Sequence, residues 1–130
     1  MSSVKITPEK AKELANYLSE IAMKTELEAL ACVTREGQRL AFKTVGYDVE
    51  PDLMSAISAA MLHVGETAAS RMGFGDLWEV IVTGAEGYIV LSGAGKLVLI
   101  GAGRSMTSLG NTVSVFRNYA KMVSKLFPSK

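Results

Sequence analysis

Between residues 76 and 101 three apolar runs follow one another with almost nothing between them: DLWEVIVT (76–83), GYIVLS (87–92) and KLVLIG (96–101). Runs of Val, Ile and Leu at this length read as extended chain. The gaps hold Gly84, Gly87, Gly93 and Gly95, and only tight turns fit into them. A crossover to a parallel neighbour takes a dozen residues or more. Three antiparallel strands in succession are therefore required, and helices elsewhere in the chain must cover their faces.

The flanking segments supply those helices. Thr7-Pro8 reads as an N-cap followed by the first helical residue. Ala11, Leu14, Leu18, Ile21 and Ala22 then keep one apolar face for roughly four turns, with Glu9, Glu13 and Glu20 opposite. ALACVT (29–34) and RLAFKTV (39–45) flank Arg35-Glu36-Gly37-Gln38, a hairpin signal with glycine at the turn. The loop GYDVE leads to Pro51 and Asp52, which open a second helix expected to reach Met72, with Gly73 as its C′ residue. A last helix is expected from about Ser108 to Phe127, closed by Pro128. The order is α-β-β-α-β-β-β-α in one domain spanning residues 1–130, an α+β chain with a five-stranded antiparallel sheet. Right-handed βαβ crossovers are missing, which argues against a doubly wound nucleotide fold.

Hydrophobic residues at 48% and charged residues at 21% place the chain among compact globules. The single cysteine, Cys32, falls in a strand and reads as a small core residue with no disulfide partner. No signal peptide or membrane-spanning run is visible, so a cytoplasmic protein is expected. All 13 acidic residues lie in residues 1–95 with 8 of the 14 basic ones, giving −5 there and +6 in residues 96–130. Such asymmetry marks either an anionic partner or two segments that neutralise each other.

Conventional catalytic motifs fail. GAGRSMTSLG (101–110) has Met106 where the third glycine of a dinucleotide fingerprint belongs, and Gly95-Lys96 lacks the rest of a P-loop. Gly103, Arg104 and Ser105, with the helix start beyond them, leave a weak anion-binding alternative. His63 and Glu66 stand one turn apart, but no second histidine or spaced cysteine completes a metal site. No catalysis, metal or cofactor is expected. Arg117, Lys121 and Lys125 form a basic stripe without interleaved aromatics. That reads as a solvated or ion-paired face before it reads as a nucleic-acid or membrane site.

Two surfaces ask for a partner. In LMSAISAAMLHVGETAASRM (53–72) only Glu66 and Arg71 are charged. Helical spacing groups Leu53, Ile57, Ala60, Met61, Val64 and Ala68 on one face, expected to cover the sheet. Ser55, Ala59, Leu62, His63, Glu66, Ala69 and Ser70 fall on the opposite, outward face. In DLWEVIVT, Trp78, Val80 and Val82 share one side of a strand; at a sheet edge it would offer an unpaired ladder to an identical chain.

The assembled pattern resembles the roadblock family, the dynein light-chain type of domain, from about Leu18 to Leu126. The resemblance rests on ALACVTREGQRLAF with its R-[DE]-G turn, on SAISAAMLHVGETAASRMGFGDL, and on WEVIVTGAEGYIVLSGAGKLVLIGAG followed by SLGNTV. Thr34 departs from the aspartate that often precedes that turn. The resemblance implies a profilin-like fold, with the central helix on one face of the sheet and the terminal helices on the other. It implies a non-catalytic homodimer, or a pair with another roadblock protein, that binds a Ras-like small GTPase and modulates its nucleotide state or location. Carried over by position, Ala59, Leu62, Glu66, Ala69, Trp78, Val80 and Val82 become dimer residues, and Ser55, His63 and Ser70 border a partner-binding platform. Arg35, Arg71 and Arg104 are the cations that could reach a partner's phosphate.

Overall fold

A computed structural model describes residues 5–45 and 49–127. The elements are α1 (Pro8–Lys24), β1 (Leu27–Thr34), β2 (Arg39–Thr44), α2 (Pro51–Arg71), β3 (Glu79–Gly84), β4 (Gly87–Ala94), β5 (Leu97–Gly103), a single 3-10 turn at Met106–Ser108, and α3 (Leu109–Ser124). The order is the expected one. Most of the GYDVE loop, at 46–48, and Pro128 lie outside the described residues.

Local chemistry explains the boundaries. Thr7 caps α1, its hydroxyl accepting from the Lys10 amide, and Pro8 follows at the first helical position. The β1–β2 turn passes through Gly37 at φ 97°, and the β4–β5 turn through Gly95 at φ 68°. Only glycine occupies such conformations without strain. Three expected boundaries need correction. β3 begins at Glu79, so Trp78 precedes the strand. β4 runs on through Gly93 to Ala94, so Gly93 is strand and only Gly95 turns the chain. β5 continues to Gly103, so the first glycines of GAGRSMTSLG are strand as well.

Those glycines answer packing needs. A Cβ at Gly101 would lie 2.7 Å from Leu27 Cδ1 and 2.9 Å from Phe116 Cζ. The missing side chain lets Phe116 of α3 sit directly on the sheet. Gly103 leaves room in the same way for the Tyr88 hydroxyl, which meets Ser108 Oγ at 2.7 Å and Thr112 Oγ1 at 2.8 Å.

All five strands pair antiparallel in the order β2-β1-β5-β4-β3. One face is covered by α1 and α3, whose Leu14, Leu18, Ile21, Phe116 and Val123 pack over Leu30, Cys32, Val90, Leu97 and Leu99. The other face carries α2 alone, with Met54 and Leu62 over Ala29, Ala31, Val33, Leu91, Val98 and Ile100. This is the layering that the resemblance implies. The lopsided charge resolves partly inside the molecule: Arg104 bonds Glu28 at 3.1 Å and Arg117 bonds Glu79 through two nitrogens.

Burial pushes the Cys32 thiol up to about 12 from its ordinary 9.0. Above pH 9 the unfolded chain therefore releases a proton that the folded one keeps. Stability should fall between pH 9 and 12 by on the order of 1 kcal/mol per pH unit relative to a Cys32→Ala variant, measured by urea denaturation. The buried Ser58 hydroxyl of α2 has no hydrogen-bond partner among the described residues. Ser58→Ala should raise stability by about 1 kcal/mol, visible as a higher melting temperature.

Candidate interaction surface

The seat of α2 decides what the rest of its surface can do. Gly65 faces β3 so closely that a Cβ there would lie 2.6 Å from Val80 Cγ2 and 2.9 Å from Leu77 Cδ2. On the opposite flank Ala59 and Ser55 face the β1–β2 turn, near enough that a Cβ on Gly37 would be 3.4 Å from each. Glu66 on that flank pairs with Arg35, and Asp52 pairs with Arg39 at 3.1 Å. Met54, Ser55, Ser58 and Leu62 are the buried residues of the helix.

This orientation reverses the sequence assignment of the two faces. Leu62, expected to meet a partner, is 3% exposed and belongs to the core beneath α2. Ser55 is buried too, its hydroxyl donating to the Pro51 carbonyl. Ala59 and Ala69 are half-buried, while His63 and Ser70 are exposed as expected. Of the stripe expected to cover the sheet, only Ile57 and Met61 touch the core, and only partly. Leu53 is 55% and Val64 66% exposed, and Ala60 and Ala68 are exposed beside them. With apolar residues nearly all round the helix, periodicity could not tell the face against strands from the face left open. The small residues Ser58 and Gly65 settle against the sheet with Met54 and Leu62.

At Gly65 the helix meets the edge strand β3. Among the described residues β3 has only β4 as a neighbour, so its far side is unpaired there. The Gly93 amide donates to the Trp78 carbonyl, and Gly84 faces Gly87 across the ladder. By alternation Val80, Val82 and Gly84 turn their backbone groups toward β4, and Glu79, Ile81 and Thr83 turn theirs outward. Val80 packs into the core under α2, while Val82 is 47% and Ile81 45% exposed.

Trp78 is displaced from its expected role. It lies outside the strand, 68% exposed, with the Arg117 guanidinium 5.5 Å from its ring centre; Leu77 takes its place under α2. Glu79 holds that guanidinium at 2.7 and 2.9 Å and keeps it more firmly charged than an ordinary arginine. The residues near Gly103 are likewise engaged internally: Arg104 with Glu28, and the Ser105 hydroxyl with Thr107 at 3.1 Å. Arg35 donates to the Gly95 carbonyl as well as to Glu66, and Arg71 is exposed in the last turn of α2. Lys121 and Lys125 of the basic stripe are both exposed along α3 and just past its end. Among the described residues no group of three or more His, Cys, Asp or Glu side chains could hold a metal ion. No helix there is long and apolar enough to cross a membrane.

No protein-family model and no curated protein matches the sequence. Solved structures match over nearly the whole chain. An MglB with a tetrameric arrangement aligns with a TM-score of 0.86 at 16% identity, covering 97% of this chain and 96% of its own. The gliding protein MglB of Thermus thermophilus aligns with a TM-score of 0.85, at the same identity and coverage. A Roadblock/LC7 domain from Streptomyces avermitilis aligns with a TM-score of 0.63 at 18% identity, covering 81% of this chain and 95% of its own. The chain has the roadblock fold. Its layering is also profilin-like, as expected. In this fold α2 reaches the edge strand β3 at Gly65, and Val64 beside that contact is exposed.

The fit at Gly65 gives a direct test of that placement. Alanine there would improve helix propensity by about 1 kcal/mol, yet its methyl has no room against Val80. Gly65→Ala should be net destabilising, by up to about 2 kcal/mol, in chemical denaturation.

Proposed function

We propose that this protein is a non-catalytic, homodimeric platform that binds a Ras-like small GTPase and modulates its nucleotide state or location. The observation that carries the reading is that charge-poor α2, with Leu53, Ala60, Val64 and Ala68 exposed, meets through Gly65 a strand β3 whose far side is unpaired among the described residues. Apolar helix surface next to a free strand edge is a hazard for a monomer, and two-fold pairing removes both. Pairing centred on Ile81 sets Glu79 opposite the partner's Thr83, so every outward backbone group of β3 meets another. The two α2 helices then lie against each other on one face of a ten-stranded sheet.

Support for the GTPase comes from the roadblock resemblance of the sequence and from the fold it shares with MglB, a gliding protein. The tetrameric MglB arrangement supports association with further copies or with another roadblock chain. In this reading His63, Ser70 and Arg71, on the solvent side of α2, border the surface offered to the GTPase. With Arg35 and Arg104 held in ion pairs, Arg71 is the arginine placed to approach a phosphate. Regulation would otherwise act by repositioning the GTPase's own residues.

Light scattering across a dilution series should give twice 13.9 kDa for the native chain and a folded monomer for Val64→Glu. The native dimer, immobilised as bait, should retain Ras-like GTPases from a panel charged with GDP or a non-hydrolysable GTP analogue, and the Val64→Glu chain should not. A native monomer at every concentration sinks the dimer; a dimer that retains no GTPase in either state sinks the platform.

A further inference from the structure

The face of the sheet opposite α2 is not covered to its edge. α3 runs along β4, its Thr112 hydroxyl 2.8 Å from that of Tyr88 and its Ser124 against Gly95, and Phe116 and Val123 pack over β4 and β5. β3 lies outside this cover. Arg117 reaches down to its first residue, Glu79, and by alternation Ile81 and Thr83 share that face. Both are exposed, Ile81 at 45%. Trp78 joins them: its ring lies by Arg117 on the α3 side, while Leu77 before it goes under α2. A cavity of about 1320 Å³ opens at this corner, with Trp78, Glu79, Arg117, Ala120 and Lys121 among its walls.

The wall above β3 is basic. Arg117 and Lys121 stand one turn apart on the side of α3 that lines the cavity, and α3 carries no acidic residue. Lys96 adds a third cation at the β4–β5 turn. Glu79 is largely buried and holds Arg117. Asp76 and Glu86 lie beyond the two ends of β3. Glu36 and Glu66 line the cavity on its α2 side, where Glu66 is paired with Arg35. An exposed apolar strip thus runs beside a row of cations.

Resting on the dimer proposed above, we infer that the two α3 helices wall a trough over the joined β3 strands, and that it takes one amphipathic helix of a partner protein with acidic flanks. Pairing centred on Ile81 runs the two-fold axis through the sheet. Both α3 helices then lie on one face, with Ile81, Thr83 and Trp78 of each chain between them. Because α3 sits over β4 and β5, roughly four strand spacings, about 19 Å, separate the two α3 axes. Helices in contact pack about 8–10 Å apart, which leaves room for one helix and no more. The paired stretch of β3, Glu79 to Thr83, matches a helix of roughly three to four turns in length. The floor is apolar, with Ile81 of both chains at its centre and a Trp78 toward each end. The two-fold sets one Arg117–Lys121 pair at either end of the walls. A helix with an apolar stripe downward and carboxylates to both sides satisfies floor and walls together. Neither protomer forms the trough alone, and the axis through it admits one occupant for two chains.

The test uses the full chain. Trp78 is its sole tryptophan, so its emission reports on the floor. The probe is a synthetic helix of about four turns, with leucines along one stripe and glutamates on both flanks. Added to the native dimer, it should shift Trp78 emission to the blue and saturate at one peptide for two chains. Lys121→Glu, at an exposed site off the β3 ladder, should leave the dimer mass unchanged and weaken peptide binding by about tenfold or more. The monomer made by Val64→Glu should not bind. A native dimer whose Trp78 emission ignores the peptide, or that binds it equally after Lys121→Glu or with lysines in place of the glutamates, overturns the trough and leaves the dimer standing. A native chain that is monomeric throughout the dilution series overturns the dimer and the trough with it.

Discussion

The contact between Gly65 and the Val80–Leu77 pair governs the rest of the molecule. It draws α2 down onto the β3 side of the sheet and fixes the helix in rotation about its own axis. Once the glycine and two small serines are inside, the bulkier Leu53 and Val64 have nowhere to go but outward. Exposed apolar surface on α2 is thus a consequence of close packing beneath it. Close approach comes from the small residues, Met54 and Leu62 fill the core beneath them, and Leu53 and Val64 are left exposed.

Much of the architecture was legible in the sequence because its signals were local. Thr7-Pro8, Gly37, Pro51, Gly73 and Gly95 each mark a boundary through backbone chemistry that needs no knowledge of the fold. The three closely spaced runs after residue 76 forced antiparallel pairing; that β3 is an edge came only with the strand order. The candidate surface was less legible. The charge-poor helix exposes apolar residues, but which of its faces turned inward was misassigned, since Leu62 and Val64 are equally at home in a core or an interface. The signal that could have decided it was Gly65 in mid-helix, an unfavourable residue there unless something approaches closely. Trp78 misled for a different reason: alternation was extended beyond the point where the strand begins.

Electrostatics supports the layered fold without defining a basic site. The excess positive charge of the last third is drawn back to the acidic remainder through Glu28 and Glu79. These partly exposed pairs contribute modestly to stability. Their greater effect is to occupy two arginines that a sequence reading would offer to an anionic partner. What remains conspicuous on the surface is apolar, and of it Val64, Met72, Phe74, Trp78, Ile81 and Val82 belong to α2, β3 and the link between them.

The strand order also bears on how the chain can be made. β1 lies between β2, its neighbour in sequence, and β5, which begins at Leu97. Until that distant strand has left the ribosome, the first hairpin has one side unpaired, and neither of the two cores can close. Long-range pairing of this kind is slow and leaves strand edges open in the interim. Folding is therefore an event of the completed chain, and the same late segment that finishes the sheet brings α3 to cover it.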